Sequence, residues 1–263
     1  MTLSKIKRMH GYGLKPLALL ATLTVLGCGG ESGQAQSSDP PDPNPTAAQD
    51  VDPQEEIFDL SELGIDEGSR MTSAIGVVDF SDFGCIYCAN FHVADYPALY
   101  EEFVLSGDIL WKYVPISIGG FPNGDLAGVT GICADEVGRV NGFTAMRDHL
   151  FENREEWLGA TPSDAGGIFL SYAEVIGLDQ ATFSACLEGG TAASRLARNN
   201  EMARQVGVTA TPTFIVQGSP VRGAPALTDF QQVLRGLVEQ MRTGAGAPQA
   251  IGAPGGVGIQ PNR

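Results

Sequence analysis

Two hydrophobic patterns alternate along this chain. Between 76 and 80 the residues are almost continuously apolar, with β-branched and aromatic Val77, Val78 and Phe80, as a core strand requires. Gly84 permits a tight turn, and Cys85 then opens a helix running through Phe91 towards Phe103. A second strand covers 109–116. From 125 to 205 apolar residues recur at helical spacing: Leu126, Val129, Ile132 and Cys133, then Phe143, Met146, Leu150 and Phe151. Further on come Phe169, Tyr172, Ala173 and Ile176, and then Phe183, Cys186 and Leu187. Thr161-Pro162-Ser163 reads as a helix start and Gly177 as a stop. The strand pattern returns at 213–216. A hairpin turn follows at 217–220, then a short edge strand at 221–224. Thr228 is expected to cap a last helix whose inner face carries Phe230, Val233, Leu234, Leu237 and Val238. Upstream, 57–60 suggests a short edge strand, followed by a turn region near Gly64 and Gly68.

The two ends follow neither pattern. Lys5, Lys7, Arg8 and Lys15 precede an apolar run from Leu17 to Leu26 that ends at Gly27-Cys28. This is a signal peptide over 1–27, too short to span a bilayer as a mature helix. Val25-Leu26-Gly27-Cys28 resembles a bacterial lipobox, which implies cleavage before Cys28 and a diacylglycerol on its sulfur. The alternative is an ordinary secretory signal with an incidental cysteine. Gly29, where Asp would retain a lipoprotein, favours sorting to the outer membrane. Residues 28–55 are rich in Gly, Ser, Gln, Pro and Asp and read as a disordered tether. Residues 243–263 read as a disordered Gly/Ala/Pro tail.

At 263 residues and 43% hydrophobic content the chain can bury one large core or two small ones. The whole-chain charge is −15. The signal segment holds four of the 16 basic residues and none of the 31 acidic ones, which leaves 12 against 31, a net −19. Such a surface repels nucleic acid, so no nucleic-acid partner is expected. Setting Cys28 aside, four of the five cysteines remain. An even number in an exported chain suggests disulfides, and three pairings are possible.

The chemistry sits at 76–92, which reads Gly-Val-Val-Asp-Phe-Ser-Asp-Phe-Gly-Cys-Ile-Tyr-Cys-Ala-Asn-Phe-His. A cysteine at a helix start meets unpaired N–H groups and the positive end of the helix dipole. Cys85 should therefore have a lowered pKa and act as the nucleophile. Cys88, one turn deeper, lies within reach to resolve a mixed disulfide. The alternative is a structural disulfide or half of a zinc site, but Cys133 and Cys186 stand 53 positions apart and offer no second close pair.

The segment Val-Val-Asp-Phe-Ser-Asp-Phe-Gly-Cys-Ile-Tyr-Cys resembles the active-site segment of the thioredoxin superfamily, and most closely its DsbA-like branch. A second match is Gly207-Val208-Thr209-Ala210-Thr211-Pro212-Thr213-Phe214, similar to the family's cis-proline loop. The helical 80 residues between two parts of a sheet domain also fit this branch, as do the strings beginning at Cys133 and Gly177. The likeness covers about 56–242. It implies an α/β thioredoxin-like fold, a mixed sheet flanked by helices with an inserted helical domain. Its parts would be 56–119, the helical insertion at 120–205, and 206–242.

The resemblance also implies roles. Cys85 and Cys88 would form the redox-active pair. Asp79, six residues before Cys85 on the strand beneath, would relay the proton of Cys88; a buried carboxylate can serve as a base. The alternative is a solvated strand aspartate. Pro212 would follow a cis bond from Thr211, whose backbone would pair with extended substrate; an ordinary trans proline is the alternative. With 85 and 88 paired, Cys133 and Cys186 would be a structural disulfide, or else two free core cysteines or a second redox pair. Ile86 stands where many relatives have proline, and Tyr87 is common among isomerases and milder oxidases. Thr211 in place of an aliphatic residue favours an isomerase or reductase.

Asp82 reads as a turn or capping residue, Trp111 as a core aromatic rather than a substrate contact, His92 as an exposed helix residue or, alternatively, one that affects the thiol pKa from one turn after Cys88, and His149 as a surface or cap residue. The implied activity is thiol–disulfide exchange with protein thiols or disulfides, with no small-molecule cofactor and no metal. A membrane redox partner would reset the pair. The protein would sit in the cell envelope, anchored to a membrane by its N-terminal lipid. A DsbA-like oxidase is the first expectation; a reductase or isomerase, or a non-catalytic envelope chaperone with an inert disulfide, are the alternatives.

Overall fold

The computed structural model describes residues 57–58, 63–68, 75–138, 141–244 and 257–258. The signal segment, Cys28 and the tether up to residue 55 lie outside the described residues.

The frame is a five-stranded mixed sheet in the order β2-β4-β3-β5-β6, with β2 at Ile65–Glu67, β3 at Ile75–Ser81 and β4 at Ile109–Pro115. The hairpin β5, Thr213–Val216, and β6, Ser219–Arg222, completes it. β3 runs parallel to β4 and antiparallel to β5, so it lies in the middle of the sheet. All seven of its residues are buried, which explains its near-continuous apolar run: a strand covered on both faces has no solvated side to alternate with.

Each face of β3 meets its own core. Ile75 and Val77 pack with Phe91, Trp111, Phe214 and Phe230. Val78 and Phe80 pack with Val114, Ile215 and Val206. Asp79 shares the first face by its place in the pleat. The hairpin turns at Gln217 and Gly218, both with positive φ, 49° and 79°, the conformation of a type I′ turn.

The helix after Cys85 is broken into four short segments. α1, Ile86–Asn90, passes into a π-helical turn at Phe91–Asp95, then α2, Tyr96–Leu99, then a second π-helical turn at Tyr100–Val104. The Tyr96 N–H donates five residues back, to the Phe91 carbonyl. Pro97, next in line, has no N–H for the Val93 carbonyl, so the regular ladder gives way there.

Among the described residues six helices separate β4 from β5: α3 (Gly124–Gly138), α4 (Gly142–Glu152), α5 (Arg154–Leu158), α6 (Pro162–Val175), α7 (Gln180–Gly189) and α8 (Thr191–Gln205). This is a thioredoxin-like sheet with a helical insertion. Thr161 caps α6 by accepting from the Asp164 N–H, and Gly177, at φ 78°, follows its end. The insertion core holds Ile132, Phe143, Met146, Trp157, Phe169 and Phe183, and it is continuous with Phe83, Cys85 and Cys88. Cys133 of α3 and Cys186 of α7 are joined by a disulfide. At the sheet edge a buried network ties β2 to α4. Arg147 Nη1 reaches both Glu67 oxygens at 2.7 and 2.6 Å, Thr144 Oγ1 donates to the same carboxylate at 2.7 Å, and Tyr96 donates its hydroxyl.

Four local expectations are corrected. The turn region around Gly64 and Gly68 contains a strand, β2, whose Asp66 lies opposite Lys112 of β4 and pairs with it at 2.6 Å. β1, Ile57–Phe58, pairs not with the main sheet but with β7, Val257–Gly258, inside the region read as a tail. The last helix, α9, Leu227–Thr243, has Ala226 at its N-cap position with no side-chain cap, and Thr228 lies inside the helix; Leu227 already packs on the core there. Its buried stripe is Phe230, Leu234 and Val238, with Leu237 packed against the same core, while Val233 is exposed.

Candidate active site

Cys85 stands at the N-cap of α1 in an extended conformation, φ −80° and ψ 123°, one residue earlier than the first helical turn. The loop that brings it there is fixed from three sides. Asp82 accepts from the Gly84 N–H at 2.9 Å with Oδ1, and from the Ile118 and Gly119 N–H groups at 3.1 Å with Oδ2. The turn role expected of Asp82 thus extends to tying the loop after β4 to the loop before Cys85. Burial pushes the Asp82 carboxyl up, and these N–H donors pull the other way. Gly84 is required by close approach: a Cβ there would fall 2.3 Å from Cβ of Phe121. Arg154, from α5 of the insertion, donates to the Gly84 carbonyl from Nε at 2.8 Å and Nη2 at 2.5 Å.

The Thr211–Pro212 peptide is cis, and the loop it belongs to lies against Cys85 although 126 positions separate the two. The Thr211 carbonyl is 3.3 Å from Sγ of Cys85 and accepts from the thiol. The Thr213 hydroxyl donates to the Ala210 carbonyl at 2.7 Å, and the Gly223 N–H to the Pro212 carbonyl at 2.8 Å, which holds the loop on both flanks.

The two sulfurs differ sharply. Cys85 has its pKa lowered to about 5, first by a hydrogen bond from the Cys88 thiol; burial opposes this, and the Thr211 side chain and the N–H groups of Cys88 and Tyr87 add to it. Thr211 therefore acts in two directions. Its carbonyl favours the thiol and its hydroxyl the thiolate; the net direction is downward because the anion also gathers the Cys88 thiol and two N–H donors. The helix-end donors expected from the sequence contribute, but the neighbouring thiol contributes more. Cys88 is fully buried, and burial, followed by the Cys85 anion, pushes its pKa well up; the charge of Asp79 adds to the rise. Ile86 and Tyr87, between them, are 45% and 66% exposed, so the surface over the pair is largely apolar.

Asp79 is fully buried, not a solvated strand residue. Ser81 Oγ donates to its Oδ1 at 2.6 Å, and Trp111 Nε1 to Oδ2 at 3.3 Å. His92 Nε2 lies 3.0 Å from Oδ2. The exposed position expected for His92 is thereby corrected. It is four residues beyond the buried Cys88, on the same helical face, and the π-helical turn keeps it inward, stacked on Phe151 of α4 at 4.7 Å. Trp111 is a core aromatic, and it also carries a hydrogen bond to Asp79.

The fold thus brings Cys85, Cys88, Thr211, Pro212 and Asp79 to one place. Cys133 and Cys186 are bonded to each other within the insertion. Ser81 and Arg154 carry no expectation from the sequence, and for His92 the alternative reading, an influence on the thiols from one turn beyond Cys88, fits its place beside Asp79. Ser81 and His92 lay in the motif itself, where Asp79 plus two and Cys88 plus four face the same core; Arg154 carries no signal at 70 positions' distance. Two sulfurs of opposite acidity, Cys85 5% exposed and Cys88 fully enclosed, can carry out stepwise disulfide exchange.

Residues 71–235 match the family model described as thioredoxin. The disulfide bond formation protein D of Bacillus subtilis is 21% identical over 174 residues, covering 64% of this chain and 73% of that protein. A Na(+)/H(+) antiporter, NhaA 3 of Salinispora tropica, is 31% identical over 146 residues; the match covers 55% of this chain but only 20% of the antiporter. Among solved structures, alpha-DsbA1 of Wolbachia pipientis superposes with a TM-score of 0.62 at 18% identity, covering 72% of this chain and 99% of that one.

Proposed function

The chain belongs to the thioredoxin family, and from that premise we propose that it is a DsbA-like protein thiol–disulfide oxidoreductase, working through Cys85 and Cys88. In the oxidising direction a substrate thiolate attacks Sγ of Cys85 and the bond to Cys88 breaks. Cys88 leaves as a thiolate and takes up a proton. The substrate's second thiolate then attacks its own sulfur in the mixed disulfide and releases Cys85 as a thiolate. The substrate dithiol is oxidised to a disulfide and the Cys85–Cys88 disulfide is reduced to the dithiol. A membrane redox protein restores it. Thr211 and Pro212 align the extended substrate at Cys85 through the Thr211 backbone, and Asp79 handles the Cys88 proton.

One observation carries this reading: the less enclosed of the two sulfurs, the one in contact with the Thr211–Pro212 loop, is the acidic one. With a pKa of about 5, roughly 99 parts in 100 of reduced Cys85 is thiolate at pH 7. A good leaving group stabilises the reduced form and makes the disulfide an oxidant. The value lies between the ~3.5 of strongly oxidising DsbA and the ~7 of thioredoxin, so the potential should fall between about −120 and −270 mV. Because Tyr87, not histidine, precedes Cys88, a milder oxidase or an isomerase is the second reading.

The measurement is the reduction potential across pH. Above about pH 5 reduction takes up one proton, at Cys88, and the slope should be about −30 mV per pH unit; below, Cys85 is protonated as well and the slope doubles to about −59 mV. A potential below thioredoxin's would reverse the assignment to a reductase. For location, the lipobox at Cys28 supports a lipid-anchored envelope protein facing an oxidising compartment. Metabolic labelling with a radioactive fatty acid, lost in Cys28→Ala, tests it.

A further inference from the structure

Asp79 is enclosed, so a proton reaching it from solvent needs a path. The cavity beside it, about 460 Å³, lies between the first helical run and α4, and is lined by His92, Val93, Tyr96, Arg147, Phe151 and Glu152 among others. His92 is the residue common to the cavity and to Asp79. Its side chain is 1% exposed, with Nε2 3.0 Å from Asp79 Oδ2, and its buried Nδ1 has no hydrogen-bond partner among the described residues. The ring is held by Phe151 on its face and by Phe91, Tyr96 and Tyr113 around it. A buried imidazole with one nitrogen on a carboxylate and the other unpaired costs stability unless the second nitrogen is used.

We propose that His92 is a positioning residue that relays protons between the water of this cavity and Asp79, and through Asp79 to Cys88. The inference rests on the exchange reaction proposed above. As Cys88 leaves as a thiolate, the Nε2 proton of His92 passes to the Asp79 carboxylate at Oδ2 and from Asp79 to the Cys88 sulfur, and Nδ1 takes a proton from a cavity water. His92 and Asp79 end with the protons they began with, so the net change is one proton from solvent to Cys88. The reverse sequence removes that proton when Cys88 attacks a mixed disulfide. Cys88 needs such help, since its own acidity is suppressed by burial.

The groups facing the ring are consistent with this. Asp79 comes from β3 and Tyr113 from β4, and Tyr96 belongs to α2. Burial raises both phenols well above their usual range, so they do not ionise in the working range. Arg147, Asp148 and Glu152 line the cavity from α4. Arg147 is neutralised by Glu67 at 2.6 Å and Asp148 at 2.8 Å.

The test is the rate at which Cys88 resolves a mixed disulfide on Cys85, measured against pH. His92→Gln keeps an N–H donor for Asp79 but cannot exchange protons at two nitrogens. It should slow resolution about 10–100-fold between pH 6 and 8 and change the shape of the profile, while alkylation of Cys85 keeps its wild-type pH dependence. Adding His92→Gln to Asp79→Asn should slow resolution no further. Free imidazole should restore part of the rate in His92→Ala, where the cavity is enlarged. Should His92→Gln fail to fold, His92→Phe, which keeps the packing on Phe151, takes its place with the same expectation. A wild-type resolution rate and profile in the folded variant, or effects that add in full to Asp79→Asn, would overturn the relay. Absence of exchange in the wild-type protein would instead overturn the function on which it rests.

Discussion

Among the described residues there are two pairs of cysteines, and the fold treats them oppositely. Cys133 and Cys186 come from two helices of the insertion, 53 positions apart, and are bonded to each other. Cys85 and Cys88 share one helical turn and are free thiols. The first pair crosslinks elements that pack anyway. The second is set so that its members cannot have the same acidity: one meets N–H donors, a thiol and the Thr211 hydroxyl, the other is sealed under Asp79 and the core. The residue type is the same in both; surroundings decide which sulfur reacts.

The largest expected effect separates the pairs by activity. Cys85→Ser should lower disulfide exchange at least about a thousandfold, as loss of a nucleophile does, and leave the fold intact. The double variant Cys133→Ala/Cys186→Ala should stay within about threefold of wild type in the same assay. Equal losses would place the second pair in the electron path. Stability should rank the other way. Arg147→Met leaves Glu67 buried without its cation, and should cost about 3–5 kcal/mol in denaturant unfolding. Removing the Cys133–Cys186 crosslink should cost about 2–4 kcal/mol through the freed unfolded chain. Neither should move the Cys85 titration.

The smallest effect sharpens the reading of Thr211. Thr211→Val keeps the carbonyl and removes the hydroxyl. It should raise the Cys85 pKa by less than about one unit, the size of one net hydrogen bond. A fall would mean that the carbonyl is the dominant contact.

The sequence revealed the sheet well where burial is two-sided: β3 and β4 are apolar because both faces are covered, and the hairpin announces itself at Gln217-Gly218. It showed the cysteines and the Thr211–Pro212 loop for the same reason, since each needs a particular residue type. It did not show β2, three residues of which two, Asp66 and Glu67, are charged; they are held by partners on β4 and α4 that only the fold supplies. His92 and Arg154 were hidden likewise. A buried histidine or arginine looks like a surface residue until its acceptor, here Asp79 or the Gly84 carbonyl, is brought beside it by a distant element.

Acidity also links to stability with a definite sign. The folded Cys85 pKa lies below its unfolded value. The stabilisation that Cys85 gives the reduced form is therefore full above the unfolded thiol's range, near pH 9, and is lost as pH falls through about 5, while Cys88, with its acidity suppressed, opposes it above that range. The oxidised form has no such thiols and should not follow that trend.

The most direct test of the asymmetry is thiolate absorbance at 240 nm of the reduced protein, titrated from pH 3 to pH 10 with Cys85→Ser as the blank. A single thiolate appearing with a midpoint near 5, with Cys88 still protonated at pH 9, is the result predicted. A midpoint near the ordinary ~8.5, or both sulfurs ionising together, would contradict it.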